Sequence, residues 1–469
     1  MATLTPSEWF DLLNGRFTKT TRARWQDGRI RSDLASCSRE LQPRHRLLDT
    51  LWSYYVGDPP LPQVADEYRD VFRDVMRKAR SNYAPMSVAA MLDRMELQAI
   101  STIVDKDLNG DDLATRIMDE SGFSAMFKDL LGYLFTMGEA FAMVVPGAPT
   151  PTIHAIDPRR CVGIQDRDNP VRLAAALVKD YDPIADEQVA HLFLPGEKWT
   201  LNYDGMKWNR LSDAPEVIAD LDGFGGVPVV RFENAFGLGE YEPHIDLLDR
   251  INDTTLQRIV GFWYQALRQR ALRGDPEDGD DGYVDGAADD QQQLSDMGSR
   301  LKSGPGALWM IPKDFEIWES AQSDFGPFIN AKRDDVKEFA AVTSTPLHLI
   351  TPDAANGSAE GAGLMRESAT AKVRDRRARI TPSLKLLWRI AFAMAGDTQR
   401  GDFLQLHWGP IEFRTLAEMA SAASQAKDTL SVEKIGQKIW SMSPSEIDEN
   451  IAQLGLPPKR FDATDQANT

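Results

Sequence analysis

The sequence predicts an α+β fold, mainly helical. Three observations lead there. Apolar residues recur at three- and four-residue steps over most of 1–135 and again over 241–272, 327–343 and 364–395. Between 138 and 234 the pattern changes to short apolar runs separated by Gly, Pro, Asn and Asp turns. No helical stretch separates those runs, which points to an antiparallel β unit rather than a parallel sheet.

In chain order, Thr5-Pro6-Ser7-Glu8 starts the first helix, with Thr5 as N-cap, Pro6 at the first position and Glu8 reaching back. Arg16, Lys19, Arg22, Arg24, Arg29, Arg31, Arg39, Arg44 and Arg46 form a basic stretch, read as a solvated or intersubunit face. Pro59-Pro60-Leu61-Pro62 is a loop, and helical patterns resume at 68–78 and 86–95. Strand-like runs follow at 140–145, 152–156, 161–164, 172–179, 189–194, 199–203 and 227–232. One uninterrupted helix is expected over 241–272, with Pro243 tolerated in its first turn and a length of about 45 Å. Two strands, 306–311 and 315–319, precede a helix over 327–343 that stops at Thr345-Pro346. Residues 351–363 are small, polar and Gly-rich, hence a mobile loop. The helix after it carries Pro382, which predicts a kink or a split. A strand-like stretch within 402–413 and helices at 414–427, 432–440 and 443–454 complete the chain, the last opened by a Ser443–Glu446 capping box. Residues from Pro457 onward read as a frayed tail.

The 469 residues suggest two to four domains. With 53 basic and 71 acidic side chains the net charge is −18, which argues against a protein that coats DNA by counterion release. Eight of the acids lie between Asp275 and Asp290 with no Lys or Arg among them, so that segment is expected to be a solvated loop. Cys37 and Cys161 are too few for a disulfide framework or a structural zinc site and are read as buried small side chains. Neither a secretory signal nor an apolar run of membrane-spanning length is present, so a soluble chain made in the cytoplasm is expected, with no membrane partner.

No catalytic constellation survives inspection. Asp105-x-Asp107-x-Asn109-Gly110 begins like a calcium loop, but Arg116 stands where the bidentate Glu is needed. Gly237-Leu238-Gly239 follows a strand and opens a helix, yet Glu242 occupies the third glycine position of a dinucleotide site, and Glu240 and Glu242 repel a pyrophosphate. The six histidines form no i, i+4 pair. The expectation is therefore a non-enzymatic protein with no cofactor, no metal and no catalytic residue.

The order of these elements, together with Arg80-Ser81-Asn82-Tyr83, Gly138-Glu139-Ala140, Ile156-Asp157-Pro158, Val227-Pro-Val-Val-Arg-Phe-Glu-Asn234, Asp246-Leu-Leu-Asp-Arg-Ile-Asn252 and Thr343-Ser-Thr-Pro346, resembles the portal proteins of tailed double-stranded DNA bacteriophages. Each motif alone is weak; their order and spacing carry the resemblance across most of the chain. It implies a portal fold: a wing of helices and an antiparallel β unit, a two-helix stem, a small α/β clip, a long wing-crossing helix and a helical crown. Mapped by position, 1–237 is wing, 238–273 and 327–343 are the stem helices, 274–326 is clip, 344–363 holds the tunnel loop, 364–415 is the long helix and return strand, and 416–469 is crown.

The resemblance further implies a ring of twelve subunits at one capsid vertex, through which a motor packages double-stranded DNA and through which the genome leaves. Its partners would be the large terminase subunit, a head–tail adaptor, the major capsid protein and scaffold, and the DNA passing through non-specifically; its location would be the virion, after assembly in the host cytoplasm. It assigns Asn356, Gly357, Ser358, Glu360, Gly361 and Gly363 to the tunnel loop, and Asp275, Asp280, Asp285, Trp309 and Trp318 to the clip. Ile245, Leu248, Ile251, Ile259, Phe262, Val336 and Phe339 fall on the stem, and Arg366, Arg374, Arg376, Arg377 and Arg379 become subunit-interface candidates. Another head or tail structural protein, or a cytoplasmic nucleotide-binding enzyme, is the alternative.

Overall fold

The computed structural model describes residues 4–19, 25–26, 29–30, 43–62, 66–102, 110–211, 213–218, 221–266, 270–273, 316–319, 324–350, 359–411, 416–442 and 444–455. Helix α1 (Pro6–Arg16) starts on the expected capping box: Glu8 Oε2 accepts from the Thr5 N–H at 2.7 Å, and Thr5 Oγ1 accepts from the Glu8 N–H at 3.4 Å. The two-residue strands β1 (Trp25–Gln26) and β2 (Arg29–Ile30) pair with each other. Then come α2 (Arg44–Val56), α3 (Asp66–Ala79), α4 (Ala84–Leu92), β3 (Leu97–Thr102), α5 (Asp112–Glu120) and α6 (Phe123–Met137).

The β unit holds β4 (Glu139–Val145), β5 (Thr152–Ile156), β6 (Cys161–Gln165), β7 (Leu173–Asp182), β8 (Glu187–Leu194), β9 (Glu197–Tyr203), β10 (Trp208–Arg210), β11 (Glu216–Val217) and β12 (Val229–Glu233). Every pairing in it is antiparallel. One sheet runs β12-β4-β5; the other runs β10-β9-β8-β7-β6, with β11 on β9. The remaining elements are α7 (Ile245–Ala266), β13 (Arg270–Arg273), β14 (Glu316–Glu319), α8 (Gly326–Val342), α9 (Leu347–Ile350), α10 (Ala359–Met394), β15 (Leu404–Trp408), α11 (Leu416–Ala426), α12 (Val432–Ile435) and α13 (Pro444–Gln453).

The main core forms around α6, whose apolar residues run nearly all round the helix and bury Phe123, Phe127, Leu130, Leu131, Leu134 and Phe135. It packs against β4 and β5 on one side, while Trp388 of α10 meets Phe123 at 5.4 Å between ring centres. Two further clusters fill the β unit, one of them closed by Phe10, Leu13 and Phe17 from α1 and its end. Cys161 lies in the other, fully buried, where desolvation pushes its thiol up; it is a small core side chain, as expected.

Several expectations need correction. Leu97–Thr102 is a strand, not part of a helical region, because it pairs with β15 some three hundred residues later. The expected helix 241–272 is shorter: a 3-10 turn Glu242–His244 precedes α7, which ends at Ala266 after about 33 Å. Arg270–Arg273 leaves it as a strand because Glu316–Glu319 offers ladder partners. Pro382 does not split α10; burial of Ile380, Leu384 and Leu387 around it outweighs the roughly 3 kcal/mol a helix-interior proline costs. That helix begins at Ala359, so Glu360, Gly361 and Gly363 are helical rather than part of a loop. Helix 432–440 holds its direction but widens into a π-helical turn at Gly436–Trp440. Cys37, Asp105–Asn109, Ser443 and the tail from 457 lie outside the described residues, as does most of the basic stretch 16–46.

The glycines that tempted a dinucleotide reading act in packing. Gly138 caps α6 at φ +81°, and a Cβ there would stand 2.2 Å from the Gly237 carbonyl oxygen; a Cβ on Gly239 would stand 2.2 Å from the Thr136 carbonyl oxygen. Glu242 Oε2 accepts from the Gly239 N–H at 2.9 Å, filling the place an anion would need. Gly239→Ala should therefore cost at least about 1–3 kcal/mol of stability. Thermal unfolding of the purified variant checks this, and an unchanged midpoint would contradict the backbone-contact reading.

Candidate functional site

The motifs quoted above meet one another in space. Glu139, from Gly138-Glu139-Ala140, is shared by two arginines. Arg44 Nε donates to its Oε1 at 2.9 Å and Arg231 Nε to its Oε2 at 3.0 Å. Arg44 also donates to the carbonyls of Pro158 at 2.7 Å and Cys161 at 3.0 Å. One guanidinium from α2 thus ties β4 to the turn before β6, while Arg231 ties it to β12. Arg44 is buried here, which removes it from the basic face proposed for 16–46. Burial opposes ionisation of Glu139, but the two guanidiniums prevail and hold its carboxyl below the usual range.

A second carboxylate does the same at the start of α7. Glu240 receives Arg376 Nε at 2.6 Å, Lys372 Nζ at 2.7 Å and Asn234 Nδ2 at 3.0 Å. Burial raises its pKa, and Arg376 followed by Lys372 overcomes this and lowers it. Lys372 Nζ also donates to the Thr343 carbonyl at 2.7 Å, at the end of α8. One ammonium of α10 therefore joins the start of α7 to the end of α8. A third joint lies nearby: Asn252 Oδ1 accepts from the Ser81 N–H at 2.7 Å, and Lys332 Nζ donates to Ser81 Oγ at 3.1 Å. Tyr54 Oη donates to Asp249, and the buried Tyr241 Oη donates to the Leu51 carbonyl at 2.6 Å.

Above these joints α7 and α8 pack on each other. Arg250 pairs with Asp335 at 2.9 Å and with Glu338. The predicted stem residues divide by position. Ile245, Leu248, Ile251, Val336 and Phe339 are buried at the joint end. Ile259 is half-buried, and Phe262 is 49% exposed at the other end. Phe262 stacks on Phe325 at 4.3 Å, and Gly261 leaves the room: a Cβ there would meet the Phe325 ring at 2.7 Å. Trp318 lies on β14, opposite Ala271 of β13.

The interface candidates separate likewise. Arg376 is engaged by Glu240, and Arg377 donates to the carbonyls of Arg94 and Gly409, the latter at 2.9 Å, with its guanidinium 5.0 Å from the Trp408 ring centre. Both have partners within their own chain. Arg379 pairs with Asp375 at 2.8 Å. Arg374 is exposed, with no carboxylate in ion-pair reach among the described residues. Asp275, Asp280, Asp285, Trp309, Asn356, Gly357 and Ser358, and the side chain of Arg366, lie outside the described residues. Sequence reasoning missed Glu139, Arg44, Glu240 and Lys372 as functional joints; an acid directly after a glycine, Gly138-Glu139 at a strand start and Gly239-Glu240 before a helix, was the available signal for both glutamates. Among the described residues no three His, Cys, Asp or Glu side chains gather as a metal site. No helix there is long and apolar enough to cross a membrane.

Glu139→Gln should cost about 3–5 kcal/mol, because it leaves two guanidiniums facing a neutral amide in a buried site. Since the folded-state pKa is depressed, the Glu139 contribution is fully present above the ordinary value of 4.5 and is lost as pH falls below it. Denaturant titrations from pH 7 to 3 should give a shallower pH slope for the variant than for the wild type; equal slopes would rule the linkage out.

Comparison with known proteins gives this arrangement its place. Residues 34–454 match the family described as "Phage portal protein, SPP1 Gp6-like". No curated protein matches the chain. Among solved structures, the neck of an empty gene transfer agent particle, computed with C6 symmetry, is 15% identical, with a TM-score of 0.41 over 84% of this chain and 94% of that one. The neck of the native particle, computed with C12 symmetry, is 15% identical, with a TM-score of 0.40 over 88% of this chain and all of that one. The family match alone spans nearly the whole fold and every joint described above, and the chain belongs to the SPP1 Gp6-like phage portal proteins, which form the DNA-packaging channel at a capsid vertex.

Proposed function

We propose that the chain forms a ring of twelve in which α7 and α8 are the stem beside the channel. The observation that carries this is the division of the helix pair, buried among the other helices at one end and exposing aromatic surface at the other. A helix pair with Phe262 half open to solvent is suited to burial against the same pair of a neighbouring subunit. A ring is a heterologous interface closed by rotation, so each subunit needs two different complementary faces. Residues 1–237 serve as wing, 274–326 as clip and 416–469 as crown, with α10 crossing the wing. The tunnel role narrows to 351–358, since α9 ends at Ile350 and α10 starts at Ala359.

In this reading the clip meets the large terminase subunit during packaging and the head–tail adaptor afterwards. The wing meets the major capsid protein and scaffold during assembly in the host cytoplasm. The chemistry suits DNA that passes without being held. Each cation that neutralises a phosphate adds affinity and so retards sliding, whereas the surplus of carboxylates, −18 overall, repels the backbone.

Class averages of the purified protein, imaged by electron microscopy alone and with scaffold, should show rings with an axial hole. A monomer under all these conditions would overturn the proposal. Phe262→Ser should reduce ring formation while the monomer melts within about 1 kcal/mol of wild type, as for a half-exposed side chain. β-branched replacements at Gly357 should leave rings intact but reduce the DNA content of particles; full DNA content would remove 351–358 from the channel.

A further inference from the structure

Neither the joints nor the stem uses the groove between β15 and the C-terminal helices. It has a volume of about 430 Å³, within the range of sites that hold a peptide side chain or a small ligand. Trp408 lines one side, and Trp440 and Met442 line the other. Its cations are Arg374 and Lys438, both exposed and neither paired with a carboxylate among the described residues. Among the described residues no carboxylate belongs to its lining, although Glu96 lies beside Gly409 at its edge. His407, also in the lining, is occupied by Ser101 Oγ at 2.7 Å from its Nε2.

The opposite chemistry stands on the larger sheet. Gln188 pairs with Tyr203, so the β7–β8 and β9–β10 turns lie side by side at one end of the sheet. Each presents an apolar side chain to solvent: Ile184 is 96% exposed and Met206 is 91% exposed. Asp182 Oδ1 accepts from the N–H groups of Ile184 at 2.8 Å and Ala185 at 3.2 Å, which fixes the turn that carries Ile184. Around Ile184 stand Asp182, Asp186 and Glu187, none with a cation in ion-pair reach among the described residues. An apolar knob between carboxylates faces solvent here, and the groove that holds Trp408, Trp440, Arg374 and Lys438 mixes polar and apolar surface.

We propose that these are the two faces of one subunit contact: Ile184 of one copy enters the Trp408–Trp440 groove of a second copy, with the carboxylates of the tip against Arg374 and Lys438. This rests on the ring reading given above, because a knob and a groove on different parts of one chain propagate head to tail and close only as a ring. The groove takes an acidic segment with an aliphatic centre, and the second copy supplies it.

The test uses the full chain with Cys37→Ser. Ile184→Cys combined with Met442→Cys, oxidised mildly, should give a ladder of cross-linked species reaching the ring size on a non-reducing gel, whereas either cysteine alone should give none. Rings in the microscope without a ladder overturn this contact and leave the ring standing; the absence of rings removes the ring reading itself. Charge reversal gives a second measure. Arg374→Glu with Lys438→Glu should lower the fraction in rings by at least about tenfold. Adding Asp186→Lys and Glu187→Lys to that chain should restore it. A groove defect that the tip changes do not rescue assigns the groove to another occupant and overturns the proposal, as does ring formation indifferent to all four changes.

Discussion

Two buried carboxylates, each shared by two cations, set the arrangement on which the rest of this chain depends. Removing an ion from water costs several kcal/mol, and a buried pair recovers that only when its hydrogen bonds are filled. Glu139 and Glu240 meet that condition. Glu139 accepts from Arg44 and Arg231, and Glu240 from Arg376, Lys372 and Asn234. An apolar contact would tolerate sliding between elements, whereas these forks accept one geometry. They therefore fix α2, β4 and β12 to one another, and α10 to the start of α7.

Much of the fold was legible. The strands of the β unit follow from local alternation and turn chemistry, and seven of them stand where the pattern put them, within a few residues. The helices α7 and α8 were legible from apolar periodicity. What failed was non-local. Leu97–Thr102 becomes a strand only because Leu404–Trp408 comes to lie beside it, and Arg270–Arg273 leaves a helical pattern because Glu316–Glu319 does. No window of sequence contains both partners.

The joints were half legible. The motifs that carried the family resemblance turned out to be the residues that touch one another. Ser81 meets Asn252 and Glu139 meets Arg231, while Thr343 meets Lys372 from the long helix α10. Their spacing along the chain could be read, but the contacts could not. The same holds for the basic helix α10. Its arginines looked like a face turned outward, yet Arg376 and Arg377 point at groups of their own chain, and charge counting cannot tell a buried fork from a solvated one.

Lys372 has a mechanical consequence. Its ammonium binds a carboxylate shortly before α7 and a carbonyl just after α8. In the stem reading proposed above, an axial load on either helix would reach this same side chain and, through it, α10. The two helices are not independent springs. They share the Lys372 anchorage in α10.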